Sequence, residues 1–177
     1  MKNQVCPVCL KSGVTQRGSS KDVLIILEHP TEADVQFGTP FSLAPRKKNG
    51  KPAYTSAGDV IRTEMQRMGL DLNAMTSLCL WLHEPNNSED CFNAGRDLVL
   101  DAAKGKRVVM LCGNLAVEYF TGYPVEDVNG LEMDSPYLSA KRILACVNPT
   151  HVFKNGLGEF RFGLQALYNI LKEEGLA

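Results

Sequence analysis

Four short apolar runs punctuate the chain, at residues 23–27, 75–82, 107–112 and 142–147, each rich in Val, Ile and Leu. Runs of this length with little polar alternation read as strands buried on both faces. Between them the pattern changes to a helical period. Residues 57–68 place Val60, Ile61, Met65 and Met68 on one side and stop at Gly69, and segments 89–103 and 113–121 follow. At the end of the chain Leu164, Leu167, Tyr168 and Leu171 form an i, i+3, i+4, i+7 stripe on a closing helix. Strands alternating with helices predict an α/β protein: a three-layer α/β/α sandwich around a mostly parallel sheet. Functional groups then belong at the carboxyl ends of the strands.

Those ends carry the unusual residues. EHPTEAD follows the first strand and is read as a loop, HEPNN follows the second, Gly113-Asn114 the third, and Asn148-Pro149-Thr150-His151 the fourth. On alternating geometry Ser77, Cys79, Trp81 and His83 share one face of the second strand. Residues 43–56 are a Pro/Gly/Lys-rich insertion whose Arg46, Lys47, Lys48 and Lys51 make a basic patch suited to phosphates.

Composition narrows the picture. The 177 residues, 44% hydrophobic, suffice for one core, so residues 1–177 are expected to form a single domain. Nineteen basic against twenty acidic residues leave a formal charge of −1, so any nucleic-acid contact must come from local patches. No apolar run is long enough to cross a bilayer, and no signal-type segment opens the chain. The expectation is an intracellular protein, cytoplasmic or nucleoid-associated, without a membrane partner.

Of six cysteines, Cys112 and Cys146 end apolar runs and read as buried thiols. Cys6 and Cys9 differ: CPVC near the amino terminus has the knuckle spacing that presents two thiolates to one metal, with a redox pair or two surface thiols as the alternative. Two more ligands must come from elsewhere in the chain. A zinc-dependent nucleobase deaminase is disfavoured, because that chemistry places H-x-E before P-C-x-x-C and here the acidic motif follows the cysteines.

Four motifs in order carry a family resemblance. Glu28, Pro30, Asp34, Gly38, Pro40 and Phe41 fall without a gap in the register of a G-E-x-P-G, acid, G-x-P-F loop; SAGDVIRTEMQRMGL, VVMLCGNLAVEYFTG and CVNPTHVF follow. Over nearly its whole length the chain resembles the uracil-DNA glycosylase superfamily, most closely its family 4, the iron-sulfur type. The resemblance implies that fold and hydrolysis of the N-glycosidic bond of uracil or a related pyrimidine in DNA. It implies Glu28 and Asp34 as carboxylates that position water or oppose positive charge on the sugar, and Phe41 as the ring against which a flipped base stacks. Ser77 or Cys79 stands at the family's base-reading asparagine, and Asn148 replaces its leaving-group histidine while still donating a hydrogen bond. Leu27 and Thr31 replace two family glycines. His83 and Cys91 fall where the family has its third and fourth cluster cysteines, giving Cys6, Cys9, His83 and Cys91, with Cys79 as the alternative to His83. That set suits a [4Fe–4S] cluster or zinc. The segment after Asn148 corresponds to a loop that wedges into DNA, with His151, Phe153 and Lys154 as contacts alongside Lys47 and Lys48. The altered residues sustain a second expectation, a weakened or inactive relative that binds DNA or a replication protein.

Overall fold

The structure, a computed structural model, describes residues 6–10, 16–43, 56–81 and 89–177. The four apolar runs form strands β1 (Val23–Leu27), β2 (Thr76–Cys79), β3 (Val108–Cys112) and β4 (Arg142–Cys146). They make one parallel sheet in the order β2-β1-β3-β4. Every residue of β1, β2 and β3 is buried, which is why their sequences lack the alternation of a half-exposed strand.

Helices cover both faces. In chain order they are α1 (Glu32–Phe37), α2 (Ala57–Arg67), α3 (Glu89–Ala103), α4 (Asn114–Thr121), α5 (Val125–Val128), α6 (Val152–Asn155) and α7 (Gly158–Glu173). Register partners share a face of the sheet, so Cys79, Leu27, Cys112 and Cys146 form one row. α7 lies on that face, because a Cβ added to Gly163 would stand 2.5 Å from Cys146 Sγ. α2 is in the same layer, joined to α7 by Arg161 Nε donating to Glu64 Oε2 at 2.7 Å. α3 and α4 form the other layer, where Phe92 meets Tyr119 edge-on at 5.0 Å. The three-layer α/β sandwich expected from the alternation is therefore the observed one. Among the described residues no helix is long and apolar enough to cross a membrane.

Three local features depart from the sequence pattern. Residues 32–37, expected as loop, are helical, because Thr31 and Asp34 form a reciprocal capping box that satisfies the first backbone donors. β2 is shorter than the apolar run 75–82. Leu80 and Trp81 still donate to Leu27 O and Glu28 O, at 2.7 and 2.8 Å, but Trp81 turns onto α3 and packs on Phe92 at 4.7 Å. Trp81 therefore leaves the face it was expected to share with Ser77 and Cys79. Finally, Arg17 pairs in antiparallel fashion with Ser77 on the outer edge of β2, and Glu132 with Leu144 on β4, so both sheet edges carry a partner segment.

The connection from β1 leads to β2 on one side, and those from β2 and β3 lead across to the other. The crevice above the carboxyl ends of β1 and β3 is the point where the winding reverses, the place where α/β sheets bind ligands.

Close packing of α2 on the turn before it gives a test of the fold. A Cβ on Gly58 would lie 2.4 Å from Ser42 O and 2.5 Å from Phe41 O, both backbone atoms. Helix propensity alone would make Gly58→Ala stabilising by about 1 kcal/mol. The clash with backbone outweighs it, so the substitution is expected to destabilise by roughly 1–3 kcal/mol, read as a lower urea midpoint at unchanged m.

Candidate functional site

Glu28 stands immediately after β1 at the winding reversal, and two other chain segments, at residues 113–115 and at Asn148, converge on its carboxylate. Leu115 N–H, in the first turn of α4, donates to Oε1 at 3.0 Å. Asn114 N–H and the Asn148 side chain stand near enough to the same carboxylate to favour its charged form. The strand-to-helix turn before α4 passes so close that a Cβ on Gly113 would sit 2.1 Å from Glu28 Oε1, and Gly113 has φ of +100°. Only glycine fits there, for space and for backbone conformation alike. The positive end of α4 and its unpaired N–H groups thus face a carboxylate supplied from another strand.

Burial decides the protonation of this group. Desolvation pushes the Glu28 pKa up, and it outweighs the opposing pull of the Leu115 and Asn114 N–H groups, His29 and Asn148. The ionised carboxylate accordingly costs stability at pH above its raised pKa, and that cost disappears as pH falls through it.

The Asn148 amide has a fixed orientation. Its Oδ1 accepts from Thr150 N at 3.0 Å and Thr150 Oγ1 at 2.9 Å, as the cap of the 3₁₀ turn Pro149–His151. With the oxygen so engaged, the NH₂ group is the part of Asn148 left to favour the Glu28 charge, and it has N–H to offer another acceptor. The residues that follow are exposed: Phe153, 50% accessible, and Lys154 on the short α6. His151 is tied to the Glu159 carboxylate and to Asn155 Nδ2.

The other expected site residues lie deeper. Asp34 is fully buried, with Oδ2 accepting from Thr31 N at 2.9 Å and Oδ1 from Ser42 N at 2.7 Å. Burial raises its pKa against those hydrogen bonds and the nearby Arg17. Read from the sequence as a second catalytic carboxylate, Asp34 is here a brace that links α1 to the turn bearing Phe41. The Phe41 ring, expected to stack on a base, is wholly buried in the main core, so no face of it is open in this structure. Its φ of +56° is unusual for a bulky side chain. Arg17 Nη1 donates to Pro40 O at 2.9 Å and Phe41 O at 3.1 Å, and Arg62 Nη2 donates to the same Phe41 O at 3.0 Å, holding that conformation. Ser77 and Cys79 are buried on the α2 side of β2, and Ser77 Oγ has no hydrogen-bond partner among the described residues. Burial, reinforced by Asp34, drives the Cys79 thiol pKa well up.

A second cluster lies at the amino terminus. Cys6 and Cys9 sit on the turn of residues 6–10, where Leu10 N donates to Cys6 O at 2.9 Å. They meet Cys91 in the first turn of α3, and the three sulfurs lie within 4.8 Å of one another. Three soft thiolates brought together from distant parts of the chain can hold a metal ion. Cys79 is not among the three clustered sulfurs. His83, Lys47 and Lys48 lie outside the described residues. Freshly prepared protein is expected to carry iron or zinc in near-stoichiometric amount, measured by elemental analysis, and Cys91→Ser is expected to lose the metal and lower the melting temperature.

The pattern of strand ends pointed to Glu28 and Asn148 but not to the roles of Arg17, Arg62 and Gly113. Of these only Gly113, placed directly after an apolar strand and before a helical segment, left a local signal. No protein-family model and no curated protein matches the chain, so the reading of this site rests on its residues and their geometry.

Proposed function

We propose that the protein is a DNA glycosylase of the uracil-DNA glycosylase type, hydrolysing the N-glycosidic bond of uracil or a related pyrimidine at the Glu28–Asn148 site. The observation that carries this reading is the meeting of Glu28 and Asn148, 120 positions apart in the sequence, at the winding reversal of the sheet. The ordered motifs around Glu28, Gly113 and Asn148 support the same assignment.

In the reaction, water adds to C1′ of the deoxyribose and the C1′–N1 bond breaks, its electron pair leaving with the base. Positive charge grows on the sugar and negative charge on the pyrimidine. Glu28 in its ionised form orients the water and opposes the sugar charge; the water's proton passes through it to solvent. The remaining N–H of Asn148 donates to the developing anion of the base. Asp34, Arg17 and Arg62 hold the Phe41 turn under the pocket, and the Phe41 ring becomes a stacking surface if the turn opens when a base enters. The exposed Phe153 and Lys154 of α6 fit contact with duplex DNA next to the site, Phe153 filling the place of the extruded base and Lys154 meeting a phosphate. The thiolate group suits a [4Fe–4S] cluster or zinc, completed by a fourth ligand, and such a centre ties the amino terminus to α3.

One observation favours a second reading. With the Phe41 ring sealed in the core and both Asp34 oxygens engaged, the chain also fits a non-catalytic module that binds DNA or a replication protein. Single-turnover incubation with a uracil-containing oligonucleotide, read as abasic-site cleavage, separates the two. The catalytic reading expects base release that falls by roughly 10²–10⁴-fold in Glu28→Gln and about 10²–10³-fold in Asn148→Ala. Binding without release of uracil, mismatched thymine or hydroxymethyluracil by the wild-type protein rules it out in favour of the module.

A further inference from the structure

The two arginines that hold the Phe41 turn also carry donors that the glycosylase site does not use. Arg17 is fixed by its backbone, its N–H and C=O paired with Ser77 at 3.1 and 2.8 Å on the outer edge of β2. Arg62 comes from α2. Their side chains converge on one oxygen, Phe41 O, within 3.1 Å of it in each case. A neutral carbonyl does not compensate two cations. Among the described residues neither guanidinium forms an ion pair, and the carboxylate oxygens of Asp34 that act on both from a distance are engaged by Thr31 and Ser42. Asp59 and Asp71 act at longer range on Arg62 alone.

Donors also remain. Arg17 Nε and Nη2 and Arg62 Nη1 have no acceptor among the described residues. Each guanidinium carries five N–H bonds in a planar fork that matches the oxygens of a phosphate. Both groups are half-buried, where their mutual repulsion is less screened than at a fully exposed surface and an anion between them is held more strongly.

The sequence that leaves and returns beside the pair points to a polyanion. Residues 43–56 contain Arg46, Lys47, Lys48 and Lys51 and no acidic residue. The ends of that segment are anchored beside the pair, with Ser56 Oγ donating to Ser42 O at 3.2 Å. A single small phosphate would need only the two arginines; the basic composition of residues 43–56 fits a chain of phosphates.

We propose that Arg17 and Arg62 form a phosphate-binding site that takes a backbone phosphate of a nucleic-acid strand. This deepens the glycosylase reading by naming a contact to its polymer, and it is tested without base release. Equilibrium binding of a labelled single-stranded oligonucleotide lacking uracil is measured by fluorescence anisotropy across a salt series. Arg62→Gln is expected to weaken binding about tenfold at low salt and to reduce the slope of log K against log salt by about 0.7, the loss of one phosphate contact. Arg62→Lys and Arg17→Lys, which retain charge, are expected to keep the wild-type slope. In a second arm, inorganic phosphate at matched ionic strength is expected to raise the melting temperature of wild type more than that of Arg62→Gln.

Wild-type affinity and slope in a folded Arg62→Gln variant overturn the proposal. So does a phosphate-dependent melting shift with oligonucleotide binding indifferent to Arg62, which would make this a site for small phosphates. If Arg62→Gln does not fold, Arg17→Gln takes its place: a reduced salt slope in that folded variant supports the proposal, and wild-type affinity and slope overturn it. Because the probe lacks uracil, a protein that releases no base can still pass this test, and one that fails it can still excise.

Discussion

A carboxylate drawn out of water at the junction of three strand ends is the constraint around which this structure is arranged. Glu28 leaves β1 where the winding of the sheet reverses, and its charge is met by the first N–H groups of α4 and by the Asn148 amide after β4. Its closeness to the β3–α4 turn forces glycine at 113. The donors lower the pKa and burial raises it, and burial wins. A carboxylate balanced in this way is unfavourable for stability alone, which is a reason to look for function in it.

The second constraint is the turn after α1. Phe41 adopts a backbone conformation that costs on the order of 1–3 kcal/mol for a residue with a bulky side chain. Asp34 holds it from one side through Ser42 N, and Arg17 and Arg62 hold it from the other through Phe41 O. Burial of the ring against the core adds apolar stabilisation. One buried acid and two arginines therefore serve geometry first, and the uncommitted guanidinium donors are what this arrangement leaves over for a ligand.

The layers of the fold were legible because a strand buried on both faces cannot hide its composition, and because amphipathic helices must show their period. α3 begins and ends where the sequence pattern places it, at 89 and 103. α1 was not legible: its six residues are held helical by a capping interaction between Thr31 and Asp34, and Asp34 had been read for chemistry instead. Glu28 and Asn148 stood out because polar residues directly after buried strands have few structural reasons to be there. The same logic did not foresee that Asp34 is buried and braces the turn, and it left Phe41 open to two meanings, since a loop sequence does not say which side chains fold back into the core. Arg17 and Arg62 gave no signal at all, because their convergence on one carbonyl depends on tertiary contacts between the edge of β2 and α2.

The pH dependence of single-turnover base release tests the central role of Glu28 most directly. If the ionised Glu28 carboxylate does the work, the rate falls as pH drops through its pKa, with a midpoint above the ordinary glutamate range because burial raises that pKa. Removing the Asn148 amide in Asn148→Ala should move the midpoint further up, since that side chain favours the charged form. A midpoint at or below the ordinary glutamate range, unmoved by Asn148→Ala, would contradict the account.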